Sequence, residues 1–144
     1  MKKIVISVGN PLRSDDNIGN LVLNEIKKSN HNKELFFLQG SANPENFIEP
    51  LKKVSPGTIF FIDVAKFEGD VGDVKLFKLE DILNYNISTH NFPVTMFKKY
   101  FPDSNIFLIG IKPKKIDIGE DLSPELKKNF PIVLKKVKEI IEFT

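Results

Sequence analysis

The stretch Gly9-Asn10-Pro11-Leu12-Arg13-Ser14-Asp15-Asp16-Asn17-Ile18-Gly19 decides the fold, because it separates two segments of different periodicity. The β-branched run before it, Lys3-Ile4-Val5-Ile6-Ser7-Val8, is typical of a buried strand. After it, apolar residues from Ile18 to Ile26 recur at the spacing of an amphipathic helix. The stretch is therefore predicted to be a strand-to-helix loop. In open α/β sheets such loops, at the carboxyl ends of strands, are where ligands bind.

Two interpretations of the neighbouring residues Asp15 and Asp16 remain open from the residues alone. In the first, an aspartate caps the following helix and its neighbour lies beside the positive helix end. In the second, one carboxylate caps while the other points outward to hold a cation or a reacting group, since a helix N-terminus keeps a carboxylate ionised. Arg13, the single arginine of the chain, is a further candidate for contacting a substrate.

Length and composition restrict the class of protein. A chain of 144 residues with 41% hydrophobic residues is most simply a single domain, spanning residues 1–144. Its formal net charge of +2 is too small to indicate binding to nucleic acid or to an anionic membrane. The absence of cysteine excludes disulfides and a cysteine nucleophile. With no signal segment and no apolar run of membrane-spanning length, we expect a cytoplasmic protein, and nothing in the sequence indicates more than a monomer.

Alternating strand and helix patterns along the chain predict an α/β fold. Because strands alternate with helices, the sheet should be mostly parallel and covered on both faces, as in a three-layer α/β/α sandwich. One strand alternates apolar and polar residues, which favours a sheet edge and an antiparallel direction. Pro131 should kink the final helix or mark its true start. The five predicted strands are Lys3–Val8, Leu35–Leu38, Thr58–Ile62 ending at Asp63, the alternating Val74–Lys78, and Asn105–Ile111.

Three candidate site residues, Asp16, Asp63 and His90, follow predicted strands or precede predicted helices. If their loops lie at one end of the sheet, two carboxylates and an imidazole converge. That set suits a divalent metal with open positions, such as nickel, zinc, manganese or iron. The residues leave plainer alternatives open: Asp63 bonded to loop amides, and a structural or solvated His90. His31 lies in a polar break and is interpreted as a solvated surface residue.

Several common catalytic motifs are absent from the sequence. It contains no P-loop, no complete dinucleotide fingerprint, no nucleophile elbow around a serine and no zinc-protease helix motif. Without an obvious nucleophile, hydrolysis would need a metal-activated water or an aspartate acting as general base.

Four segments of the chain resemble the hydrogenase maturation endopeptidases, in order and at comparable spacing. They are the opening loop, Ile62-Asp63, Ser88-Thr89-His90-Asn91-Phe92-Pro93 and Gly110-Ile111-Lys112-Pro113, and the branch they resemble processes the large subunit of hydrogenase 3. The resemblance implies a five-stranded α/β/α sandwich. It also implies an endopeptidase that removes the C-terminal extension of a nickel–iron hydrogenase large-subunit precursor after nickel insertion.

The resemblance also assigns roles to the three candidate residues. Asp16, Asp63 and His90 would contact nickel, which is carried by the substrate and need not be bound in the free protein. Asp16 or a polarised water would assist attack on the peptide bond. The partner implied is the hydrogenase large-subunit precursor.

One departure from the family pattern bears on catalysis. The family usually has Asp-Gly-Gly after the second strand, where this chain has Gln39-Gly40-Ser41. Because that aspartate is a candidate catalytic acid or base, an alternative is a proteolytically inactive relative that binds nickel or the hydrogenase subunit as a maturation chaperone. A third possibility is a phosphate- or nucleotide-binding domain that uses the helix starts at Asp16 and Pro44. It ranks last because two aspartates facing that pocket would repel an anion.

Overall fold

The structure is a computed structural model that describes residues 2–84, 88–89 and 94–144. Its strands are β1 (Lys3–Val8), β2 (Leu35–Ser41), β3 (Thr58–Lys66), β4 (Val74–Lys78), β5 (Ser88–Thr89) and β6 (Asn105–Ile111). Its α-helices are α1 (Ile18–Ser29), α2 (Ile48–Lys52), α3 (Leu79–Asn84), α4 (Val94–Tyr100) and α5 (Pro124–Phe143), with 3-10 turns at Ser14–Asn17 and Pro44–Phe47.

The main sheet has the strand order β2-β1-β3-β6-β4. The pairs β1–β2, β1–β3 and β3–β6 are parallel, whereas β4 lies at the edge and runs antiparallel to β6. The predicted five-stranded, mostly parallel sheet with an antiparallel edge strand is therefore confirmed. The two-residue strand β5, which the sequence did not reveal, pairs antiparallel with the end of β3.

Helices cover both faces of the sheet, so the predicted three-layer arrangement is confirmed. On one face, α1 and α5 pack against side chains such as Phe60 and Ile62 of β3. On the other face, α2, α3 and α4 pack against the alternate side chains of the same strand, including Ile59 and Phe61. Because β3 is buried on both faces, its sequence is a continuous apolar run rather than an alternating one.

The strand order places a topological switch point between β1 and β3. The chain leaves β1 toward β2 on one side, and it continues from β3 toward β6 on the other side. In open α/β sheets, ligands bind in the crevice outside the carboxyl ends of the strands at such a point. We call this end of the sheet the carboxyl edge and the opposite end the amino edge.

Two predicted strand ends and one alternative for the last helix are corrected. The second strand does not end at Leu38, because β2 continues to Ser41. The third strand does not end at Asp63, because β3 continues to Lys66 with its end paired to β5. Pro131 does not mark the start of the last helix, since α5 begins at Pro124. There the Ser123 hydroxyl oxygen accepts from the Leu126 N–H at 3.4 Å. Pro131 therefore lies inside α5.

No helix within residues 2–84, 88–89 and 94–144 combines the length and apolar character that crossing a membrane requires.

Candidate active site

Asp16 is held in the first loop by the 3-10 turn Ser14–Asn17, which precedes α1. Its side chain is fully buried, and the Asn10 N–H donates to its Oδ2 at 2.8 Å. Gly9, at a φ of +137°, lies so close to the Asp16 carbonyl oxygen that a Cβ would overlap it. The close approach of these two backbone segments therefore requires a glycine at position 9.

Asp15 is as deeply buried as Asp16 but has a different role. Its carboxylate oxygens accept four hydrogen bonds of 2.7–3.1 Å, from the N–H groups of Lys114, Lys115 and Ser123 and from the Ser123 hydroxyl. The N-cap position of α1 is occupied by Asn17, so the predicted capping by an aspartate is wrong. Asp15 instead ties the first loop to the segment that follows β6, a long-range contact that local sequence could not reveal.

Asp63 lies within β3, close enough to Asp16 for their charges to interact. Its side chain is fully buried. One oxygen, Oδ1, accepts from the Val64 N–H at 2.8 Å, while Oδ2 has no hydrogen-bond partner among the residues that the structure describes. The amide bonding considered as the plain alternative thus accounts for only one of the two oxygens.

The environment of Asp63 disfavours a bare negative charge. Burial raises the pKa of Asp63 well above its ordinary value, and the negative charge of Asp16 raises it further. The hydrogen bond from the Val64 N–H lowers that pKa, but it is the smallest of the three effects. A proton or a cation placed between the two carboxylates would relieve both the burial penalty and the repulsion.

A buried polar network beneath the loop was missed by sequence reasoning. Asn20, in the first turn of α1, accepts hydrogen bonds from the hydroxyls of Ser7 at 2.7 Å and Ser41 at 3.4 Å. Its amide group donates to the Gly9 carbonyl oxygen at 3.2 Å. A signal was available, because Ser7 interrupts a β-branched strand and Asn20 interrupts an apolar helix start. The network joins β1, β2, the first loop and α1.

Gln39 lies at the carboxyl edge with its side chain exposed. Its Nε2 donates to the Ser41 hydroxyl at 3.2 Å. Ser41 adopts the left-handed backbone conformation, with φ of +49°, which favours glycine and matches the family's usual glycine there. The position where the family pattern has an aspartate thus carries an exposed amide in this chain.

A small pocket of about 90 Å³ opens between the first loop and the end of β2. Asp16, Arg13 and Ser41 are among its lining residues. The Nε–H of Arg13 donates to the Ile116 carbonyl oxygen at 3.1 Å, which holds the side chain against the segment after β6. Arg13 as a substrate contact therefore stays a prediction, with a position beside Asp16 in its favour.

His90 lies outside the residues that the structure describes, so its predicted convergence with the two aspartates stays a prediction. Thr89, which precedes it in the sequence, pairs with Ala65 of β3, two residues beyond Asp63. Within residues 2–84, 88–89 and 94–144, no three histidine, cysteine or acidic side chains form a cluster able to hold a metal. His31 is exposed, as expected for a solvated residue.

Comparison with known proteins gives consistent matches along the chain. A family model described as HycI, hydrogenase maturation protease, matches residues 21–140. A protein of Methanocaldococcus jannaschii named as a putative hydrogenase maturation protease is 33% identical over 151 residues, covering 98% of this chain and 89% of the relative.

Solved structures share the fold. A NiFe hydrogenase maturation protease HycI from Thermococcus kodakarensis superposes with a TM-score of 0.80 at 24% identity, covering 98% of this chain and 92% of that protein. The hydrogenase maturating endopeptidase HybD from Escherichia coli has a TM-score of 0.77 at 16% identity, covering 99% and 93% of the two chains. At these identities the superpositions establish the fold.

Proposed function

Because the chain belongs to the hydrogenase maturation protease family, we propose that it removes the C-terminal extension of a nickel–iron hydrogenase large-subunit precursor after nickel insertion. The family consists of proteases, so the predicted class of enzyme, a peptide hydrolase, is confirmed. The removal of a C-terminal extension from the large-subunit precursor and its dependence on inserted nickel are the parts that we propose.

The observation that carries this proposal is the buried pair of carboxylates, Asp16 and Asp63, at the switch point of the sheet. Two carboxylates whose charges repel, one with a buried oxygen lacking a hydrogen-bond partner among the described residues, fit a positively charged group. The nickel of the substrate would be that group, and oxygen ligands can contribute to nickel binding. His90 is proposed as a third, nitrogen ligand. Recognition of nickel at this place would make cleavage depend on completed metal insertion.

Cleavage itself requires an attacking water and a group that takes its proton. The chain has no cysteine nucleophile, and we assign the proton-accepting role to the Asp16 carboxylate. The water oxygen bonds to the scissile carbonyl carbon and the peptide C–N bond breaks. The abstracted proton passes to the leaving nitrogen. The products are a mature subunit with a new carboxyl terminus and a released C-terminal peptide.

We expect this reaction to occur in the cytoplasm, with the chain acting as a monomer. The absence of cysteine fits a reducing compartment, and the small net charge gives no attraction to an anionic membrane.

The test is mass spectrometry of the nickel-loaded precursor from the same cell, incubated with the wild-type protein or with a variant. Wild type should release one defined C-terminal peptide, whereas Asp16→Ala and His90→Ala should release none. His31→Ala and Asp81→Ala serve as matched controls, because both residues lie away from the carboxyl edge, and they should cleave normally. Cleavage by Asp16→Ala at the wild-type rate would refute the assignment of that residue.

One observation favours the alternative of a proteolytically inactive relative. Gln39, at the edge of the site, has an amide where the family pattern has a carboxylate. If wild type binds the nickel-loaded precursor without any loss of mass, the chain acts as a maturation chaperone. A gain of cleavage in Gln39→Asp would then identify the missing carboxylate as the reason. Cleavage by wild type removes this alternative.

A further inference from the structure

A second and larger cavity opens at the carboxyl edge, where the end of β3 faces the segment after β6. It has a volume of about 540 Å³ and is lined by four lysines, Lys66, Lys112, Lys114 and Lys115. One acidic residue, Asp117, is among the lining residues that the structure describes. We call this cavity the lysine groove.

The groove concentrates positive charge that the chain as a whole does not have. The entire sequence carries a formal net charge of +2, whereas the groove contains four lysines and one acid. Two of the four lysine ammonium groups already have a partner, which reduces the charge available to a ligand. Glu125 lies 3.7 Å from the Lys114 ammonium, and the Lys112 ammonium donates to the Phe67 carbonyl oxygen at 2.7 Å. The remaining field attracts carboxylates.

The backbone of the groove is fixed by the same loop that carries the candidate active site. The Asp15 carboxylate accepts from the N–H groups of Lys114 and Lys115 at 2.8 and 3.1 Å. Both hydrogen bonds use backbone N–H groups, so they do not restrain the two lysine side chains. Both lysines are exposed. The buried aspartate next to Asp16 therefore holds the groove in a set position relative to the carboxylate pair.

The groove and the carboxylate pair are also linked along β3. Lys66 follows Asp63 by three residues, and at the rise of an extended strand this is a distance of roughly 10 Å. A polypeptide in extended conformation covers that distance with about three residues. A substrate segment of a few residues is therefore long enough to span the backbone separation between the carboxylate pair and the groove.

We propose that the lysine groove binds an acidic segment of the polypeptide substrate, a few residues away from the bond that is cleaved. This inference rests on the proposed function, because it adds a charge preference to the same substrate. Several substrate carboxylates, or its terminal carboxylate together with acidic side chains, would pair with the exposed ammonium groups. Such contacts favour encounter and register more than the chemical step.

The test reverses the charge of the two exposed lysines whose backbone alone is used by Asp15. The variant Lys114→Glu/Lys115→Glu keeps both N–H donors to Asp15, so the fold should be retained. The matched control is Lys135→Glu/Lys136→Glu, a pair of adjacent exposed lysines on α5 outside the groove. Both variants change the net charge equally, so the overall field of the protein is controlled.

Two measurements separate the groove from the proposed function. The first is fluorescence anisotropy with a labelled decaglutamate peptide, with decaglutamine and a single-stranded DNA oligonucleotide of matched length as comparisons. The second is the rate of cleavage of the nickel-loaded precursor over a range of concentrations. We expect wild type and the α5 control to bind decaglutamate alike. The groove variant should bind it about tenfold more weakly, and its KM for the precursor should rise similarly with little change in kcat.

The outcomes distinguish failure of the proposed groove from failure of the proposed function. Equal decaglutamate binding by the groove variant and the α5 control would overturn the proposal that the groove binds acidic segments, even if wild type cleaves the precursor. Absence of cleavage by wild type would count against the proposed function, while the peptide measurement would still decide the groove. Tighter binding of the oligonucleotide than of decaglutamate, lost in the groove variant, would assign the groove to nucleic acid and overturn the proposal.

Discussion

The carboxyl edge and the amino edge of the sheet differ in how many polar or charged side chains they bury. Eight polar or charged side chains are buried in the described part of the chain, and seven of them lie at or near the carboxyl edge. The eighth, Ser104, lies at the amino edge, where its hydroxyl donates to the Pro56 carbonyl oxygen. The seven are Ser7, Ser14, Asp15, Asp16, Asn20, Asp63 and Ser123.

This difference shows where the fold tolerates unfavourable electrostatics. Burying a polar group costs free energy unless hydrogen bonds replace its water contacts, and burying a charge costs more. At the carboxyl edge, Asp15 is fully compensated by four hydrogen bonds, whereas Asp63 is not. Asp15 stabilises the backbone of the site. Asp63 Oδ2, which has no hydrogen-bond partner among the described residues, is available to a ligand.

The largest effect should follow from removing the compensated aspartate. Asp15→Ala leaves three buried or half-buried N–H groups and a hydroxyl without their acceptor, so the free energy of unfolding should fall by about 3–5 kcal/mol. The matched change at the amino edge is Asp81→Ala, which removes one exposed hydrogen bond to the Lys78 N–H. Its cost should be below about 1 kcal/mol. Urea unfolding followed by circular dichroism measures both, and equal losses would contradict the asymmetry between the edges.

A smaller effect of opposite sign should follow from removing the uncompensated charge. Asp63→Asn should raise the free energy of unfolding at neutral pH by about 0.5–2 kcal/mol while abolishing cleavage. Since the folded state raises the pKa of Asp63, the folded protein binds more protons than the unfolded chain between the ordinary and the raised value. Wild-type stability should therefore fall as pH rises through that window.

Urea titrations across acidic to neutral pH would check this dependence. The Asp63→Asn variant should lack the fall, and the two stability curves should converge at low pH, where Asp63 is protonated in both states. Parallel curves, offset by a constant amount at every pH, would show that Asp63 does not carry the effect.

The smallest effect concerns two of the three serines with left-handed backbone, one taken from each edge. Ser41 has φ of +49° at the carboxyl edge and Ser55 has φ of +50° at the amino edge. Ser55→Gly should stabilise the protein by about 0.5–1 kcal/mol by relieving strain. Ser41→Gly should gain less, because its hydroxyl also bonds to Asn20 and Gln39. Thermal unfolding of the two variants compares them, and a larger gain for Ser41→Gly would contradict the proposed role of its hydroxyl.

Sequence periodicity predicted most of the fold because the burial pattern of each strand is local. The continuous apolar run of β3 and the alternating run of β4 indicated a central and an edge position, respectively. The end of β3 was misplaced at Asp63, because a carboxylate in a buried strand goes against the local pattern. Pairing with β5 extends β3 beyond it, and that partner comes from a distant segment.

In the candidate site, too, local features were predictable and long-range contacts were not. The opening loop and the positions of Asp16 and Asp63 were predictable, since both follow apolar strand patterns and match a family motif. The role of Asp15 was not, because its partners Lys114, Lys115 and Ser123 lie about a hundred residues away in sequence. Hydrogen bonds over such separations depend on the strand order, which periodicity does not encode.

The sequence by itself determined the class of fold, the family and two carboxylates that carry the proposed chemistry. Only the tertiary structure decided that these carboxylates share one buried environment, and that their neighbour Asp15 holds the loop of the lysine groove. The physical reason is that apolar periodicity and turn residues act within a few positions of the chain. Charge repulsion, burial and long-range hydrogen bonds exist only after the strands have taken their order.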